Sequence, residues 1–189
     1  MKHLMVGVIG DKSVGKTTFL ALYQEHIILE SEYQINFMND NTFQSVIQIN
    51  DQKFFLSFWT FDDLEFTKLK LIEFDLFIIC FSLISPSSCY NIENTYVPNI
   101  KKYFPNAPYV IYGLKKNLFD ECNGFNECIL SLKAEEMKNK IEARDYFEIS
   151  YDKCPGEYNK NLEKIFKETI ISSFHLTKKK RNKSHCILC

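Results

Sequence analysis

The stretch Gly10-Asp11-Lys12-Ser13-Val14-Gly15-Lys16-Thr17 limits what this chain can fold into more than any other. It follows the apolar run Leu4-Met5-Val6-Gly7-Val8-Ile9 and precedes Thr18-Phe19-Leu20-Ala21-Leu22-Tyr23, which reads as a helix. Strand, glycine-spaced loop and helix thus come in the order that G-x-x-x-x-G-K-S/T requires of a phosphate-holding loop. Gly10 and Gly15 let the backbone turn and approach closely, so that successive N–H groups and a helix N-terminus face an anion. Lys16 adds a point charge for terminal phosphates. The Thr17 hydroxyl is placed to hold Mg2+, which keeps several waters and takes few protein ligands. The run from Gly10 to Thr18 is therefore the candidate phosphate site, with Thr17 the candidate metal ligand.

Beyond the loop, strands and helices alternate. Thr42 to Ile49 and Lys53 to Trp59 are β-branched or aromatic and flank Asn50-Asp51-Gln52, which reads as a hairpin. Leu76 to Phe81 and Tyr109 to Tyr112 are continuous apolar runs of the kind buried in parallel sheets, and Tyr146 to Ile149 is a shorter one. Helices are expected over Ser87 to Tyr103, Lys133 to Ala143 and Tyr158 to Phe174; in the last, Leu162, Ile165, Phe166, Ile170 and Phe174 share one face. The pattern predicts a doubly wound α/β domain, in which ligands sit at the carboxyl ends of the strands. With 189 residues, 46% of them hydrophobic, one domain with a sizeable core is expected.

Charge is uneven. Lys178, Lys179, Lys180, Arg181 and Lys183 take five of the 23 basic residues, leaving 18 against 24 acidic ones in the rest. A mildly acidic body argues against nucleic-acid binding, and the basic tail points to an anionic surface. Seven cysteines, an odd number, with no signal peptide read before them, fit a reduced cytosolic setting in which body cysteines pack as small hydrophobes. The apolar run Phe74 to Ile84 includes Asp75 and is too short to span a bilayer.

The phosphate loop, Phe58-Trp59, Cys80-Phe81-Ser82-Leu83-Ile84-Ser85-Pro86, Asn91-Ile92, Pro98, Pro105-Asn106-Ala107-Pro108, Gly113 to Leu118, Glu148-Ile149-Ser150 and the terminal Cys-Ile-Leu-Cys together resemble the Rho/Rac branch of the Ras-like small GTPases. The resemblance implies the P-loop NTPase fold, a mostly parallel six-stranded sheet with one antiparallel edge hairpin. It implies residues 1–174 as the nucleotide-binding domain, with a shortened Rho-type insert at 118–133, read as a polar solvated excursion, and 175–189 as a tail. It further implies Mg2+ with GTP or GDP as cofactors, effector and regulator proteins as partners, a monomer, and roles in actin and vesicle traffic.

Departures from the family pattern are concentrated where that family does its chemistry. The threonine of the first switch loop is replaced by Asn36 or Met38, depending on register. The family's Asp-x-x-Gly after the tryptophan becomes Thr60-Phe61-Asp62-Asp63, followed by Leu64 at the water-orienting glutamine. No other register restores it, because the chain has no glycine between Gly15 and Gly113. Asp63 would repel a γ-phosphate, and Leu64 cannot orient water. Lys12 replaces the small glycine that admits a partner's arginine, and it can lie over the phosphates as an extra cation. Of the two arginines, Arg144 and Arg181, neither is near the loop in sequence. No catalytic residue is assigned.

The base-reading Asn-Lys-x-Asp becomes Leu114-Lys115-Lys116-Asn117. The family's aspartate accepts two bonds from guanine, each worth about 1.5 to 3 kcal/mol, whereas Asn117 can accept one and must point its own amide at the other donor. Guanine preference is expected to weaken, and the donor count suits a base with a second oxo group, as in xanthine. Lys115 keeps a stem that packs on a purine, and Ser150-Tyr151-Asp152 stands where the family has Ser-Ala-Lys, the Tyr151 N–H facing the base carbonyl. Cys186-Ile187-Leu188-Cys189 fits C-a-a-X behind the basic run, the two signals that stable anchoring needs. Prenylation at Cys186 and residence on the cytoplasmic face of membranes are thus expected. The alternatives are a nucleotide-free pseudo-GTPase scaffold, or an unrelated P-loop phosphotransferase, against which the scarcity of arginine speaks.

Overall fold

The computed structural model describes residues 1–30, 42–61, 72–121, 127–150 and 155–176. β1 (Lys2–Ile9) leads into α1 (Lys16–Glu30), followed by β2 (Thr42–Ile49), β3 (Gln52–Phe61) and β4 (Leu76–Ser82). Then come α2 (Pro86–Asn91), a π-helical turn (Ile92–Tyr96), α3 (Val97–Tyr103), β5 (Tyr109–Leu114), α4 (Lys116–Glu121), α5 (Glu127–Ile141), β6 (Tyr146–Glu148) and α6 (Pro155–Phe174). The strands form one sheet in the order β2-β3-β1-β4-β5-β6, parallel except where β2 runs antiparallel to β3 at the edge. This is the doubly wound P-loop NTPase fold expected from the sequence.

The continuous apolar runs go to the centre of the sheet: every residue of β4 and of β5 is buried, because helices cover both faces. Alternate residues of each strand divide between two cores. Leu76, Ile78 and Cys80 join Phe19, Tyr23, Phe166 and Ile170 from α1 and α6. Phe77, Ile79 and Phe81 join Ile92, Tyr96, Ile100, Met137 and Ile141 from the helices of the other face. Around Phe166 the first core is aromatic, with Tyr23, Phe58 and Tyr112 rings 4.9, 5.1 and 6.4 Å away. Cys80 and Cys89 are buried free thiols, as read. Among the described residues no helix is long and apolar enough to cross a membrane.

Several boundaries move. The hairpin turn is Asn50-Asp51 alone: Gln52 pairs with Ile49, and Asn50 takes φ 53°, which asparagine tolerates. β3 continues past Trp59, because Val8 and Ile9 of β1 hold Thr60 and Phe61 in the ladder. The helix expected over Ser87 to Tyr103 begins at Pro86 and changes to a π turn midway. α5 starts at Glu127 rather than Lys133, so residues 118–121 and 127–133 of the expected insert belong to α4 and α5. α6 starts at Pro155, where a proline's missing N–H has no helical partner to lose.

Candidate phosphate-binding site

β1 ends at Ile9, and at Gly10 the chain turns with φ 148° across the backbone of β4. A Cβ at this position would lie 2.1 Å from the Cys80 carbonyl oxygen. Gly15 has φ 113°, and Ser13 adopts the left-handed region at φ 64°. The loop so bent wraps around the ammonium of Lys16, which opens α1 and is only 3% exposed. Its Nζ donates to the carbonyls of Gly10 and Asp11, both at 2.8 Å. Burial pushes the thiol of neighbouring Cys80 up to about 12, against the opposing pull of Lys16, so that no thiolate competes for this cation.

A second lysine ties the other strand end to the loop. Lys115, just past β5 with φ 64°, donates from Nζ to the Ser13 carbonyl at 2.9 Å, across 102 residues of chain. The base-side rim is assembled by backbone bonds that outlast β6. Ile149 N donates to Gly113 O at 2.8 Å, and Lys116 N donates to Ile149 O at 3.0 Å, which brings Ser150 alongside the start of α4. Lys116 also faces Glu148 at 3.5 Å and Asp120, and the Tyr146 hydroxyl donates to Glu148 at 2.8 Å.

Lys12, Ser13, Gly15, Lys16, Thr17, Thr18, Lys115 and Leu118 line one cleft of about 480 Å3. Seven of these eight were expected from the sequence. Gly10, Asp11 and Val14 form the loop behind it, Val14 being buried in the core. Asn117 lies in the first turn of α4, not in a loop, and Ser150 sits on the neighbouring rim; neither lines the cleft. Tyr151, Cys186, and the switch positions Asn36, Met38, Asp63 and Leu64 lie outside the described residues. Leu118 was not anticipated. Its place directly after Asn117 was the available signal; in the structure it is 39% exposed.

Three lysines at one cleft, with a glycine turn that a Cβ would obstruct, fit a chain of phosphates. The exposed Thr17 in the first turn of α1 fits one protein oxygen for Mg2+. Bound there, Mg2+ would neutralise charge on the phosphates. Thr60 is 6% exposed and neutral, paired in register with Val8. Leu114 is fully buried and stands in register with Ser82 of β4. The Ser82 hydroxyl is buried with no hydrogen-bond partner among the described residues.

The loop, its buried lysine and the lysine-lined cleft thus form a site suited to an anion. The sequence model of the Ras family matches residues 5–174, from within β1 to the end of α6. With that match and this fold, the chain belongs to the Ras family of small GTP-binding proteins.

Proposed function

We propose that the protein is a membrane-anchored signalling protein of the Rho-like branch that binds a purine nucleotide with Mg2+ and hydrolyses GTP little or not at all. The observation that carries this reading is the contrast within one site. Lys16 is buried and bonded as a phosphate-gripping lysine should be, whereas Thr60 has no carboxylate for Mg2+ and Leu114 no polar atom for a base. Gly10, Gly15, Lys16, Thr17 and Thr18 would hold phosphates and metal, and Lys115, Asn117, Ser150 and Tyr151 the base. Lys12 adds a cation over the phosphates and obstructs an incoming arginine. The polybasic tail and Cys186 would place the protein on the cytoplasmic face of a membrane, near effectors and regulators.

Titration of purified protein with guanine, adenine and xanthine nucleotides in Mg2+ tests the core of this reading. Micromolar or tighter binding with weak preference for guanine is expected. Strong guanine selectivity would overturn the loss of base reading, and absence of all binding would leave the scaffold alternative. For the anchor, Cys186→Ser should move the protein from membranes to the soluble fraction; unchanged membrane association would refute it.

A further inference from the structure

We propose that Tyr96 and Asn91 are positioning residues for the nucleotide's phosphates, acting through the carboxylate of Asp11. The inference rests on the phosphate-holding reading of the loop. Asp11 puts a negative charge inside a loop built for anions, where a free carboxylate repels a phosphate. Both of its oxygens are held elsewhere. Asn91 Nδ2 donates to Oδ2 at 2.8 Å, and the Tyr96 hydroxyl donates to Oδ1 at 2.7 Å. The main-chain oxygen of the same residue accepts from Lys16 Nζ at 2.8 Å. One residue thus joins the clamp to the cation that meets the phosphates.

The clamp depends on the π turn. Asn91 and Tyr96 are five positions apart, and at 3.6 residues per turn they would point about 140° away from each other. The wider π winding over Ile92–Tyr96 brings both toward the loop. Tyr96 is 6% exposed and Asn91 half-buried, so the bonds are shielded from competing water. Without them the Asp11 carboxylate is free to swing into the cleft, and the carbonyl that orients Lys16 loosens.

The test uses the full chain and measures affinity for guanosine di- and triphosphate. Tyr96→Phe and Asn91→Ala should each weaken triphosphate binding about tenfold, with a smaller loss for the diphosphate, because the loop lysine reaches the β- and γ-phosphates. In an Asp11→Ala background, Tyr96→Phe should have no further effect; a tyrosine that only packs would lose the same amount in both backgrounds. Phosphorus resonances of bound nucleotide should shift in Tyr96→Phe, and adding Tyr96→Phe to Asp11→Ala should shift them no further, a readout independent of turnover. Should Tyr96→Phe fold poorly, half-exposed Asn91→Ala carries the same comparison. Unchanged affinities, or additive losses, overturn the inference while leaving wild-type binding intact. Failure of the wild-type protein to bind either nucleotide removes both this inference and the functional reading beneath it.

Discussion

Gly10→Ala is expected to leave little stably folded protein. The added Cβ would stand 2.1 Å from the Cys80 carbonyl oxygen and 3.0 Å from its carbon, and both are backbone atoms of a fully buried central strand. The φ of 148° is one that side-chain-bearing residues rarely adopt, so the chain cannot relieve the contact by keeping its path. Either β1 or β4 must move, and the two are paired from Val6–Leu76 to Ile9–Ile79. A loss above about 4 kcal/mol places the substitution among the most damaging single changes, against a usual total of about 5 to 15 kcal/mol. Thermal unfolding should show the midpoint lowered by about 10 °C or more. A midpoint within about 2 °C of wild type would mean that the turn at Gly10 is not as described.

The second large effect concerns binding rather than stability. Lys16→Ala removes the cation at the centre of the loop and leaves the Gly10 and Asp11 carbonyls, which it now bridges, without that donor. Charge-assisted bonds are worth about 1.5 to 3 kcal/mol each, so losing two or more toward phosphate should weaken nucleotide affinity at least about a hundredfold. Lys16 is buried, but its ammonium bonds loop carbonyls and belongs to neither apolar core, so the fold should survive with a lower unfolding midpoint, and circular dichroism should match wild type. Retained nucleotide affinity in a folded Lys16→Ala protein would show that the phosphates are held elsewhere.

Some of this molecule was plain in the sequence. Leu76 to Phe81 and Tyr109 to Tyr112 carry too many consecutive apolar residues to be anything but central strands, and they are wholly buried. The loop from Gly10 to Thr17 was legible because glycine and lysine spacing records backbone geometry directly. What escaped depends on pairing or winding, which no local pattern encodes. The extension of β3 to Thr60 and Phe61 is set by Val8 and Ile9 of β1, 52 positions earlier in the chain. Lys115 reaches Ser13 across 102 residues, and Asn91 and Tyr96 both reach Asp11 because a π turn runs between them. The strand read as Tyr109 to Tyr112 runs on to Leu114, and α4 begins almost at once with Lys116, which puts Asn117 in a helix. The left-handed Lys115, φ 64°, makes that abrupt change of direction.

The central claim is that the cradle still grips a nucleoside phosphate although the groups that would cleave it have changed. The most direct test is to load the purified protein with GTP and Mg2+, remove free nucleotide, and identify by mass what remains bound over several hours. The account predicts that the bound species stays predominantly triphosphate. Conversion to diphosphate within minutes would contradict it, and so would a folded protein from which no nucleotide at all is recovered.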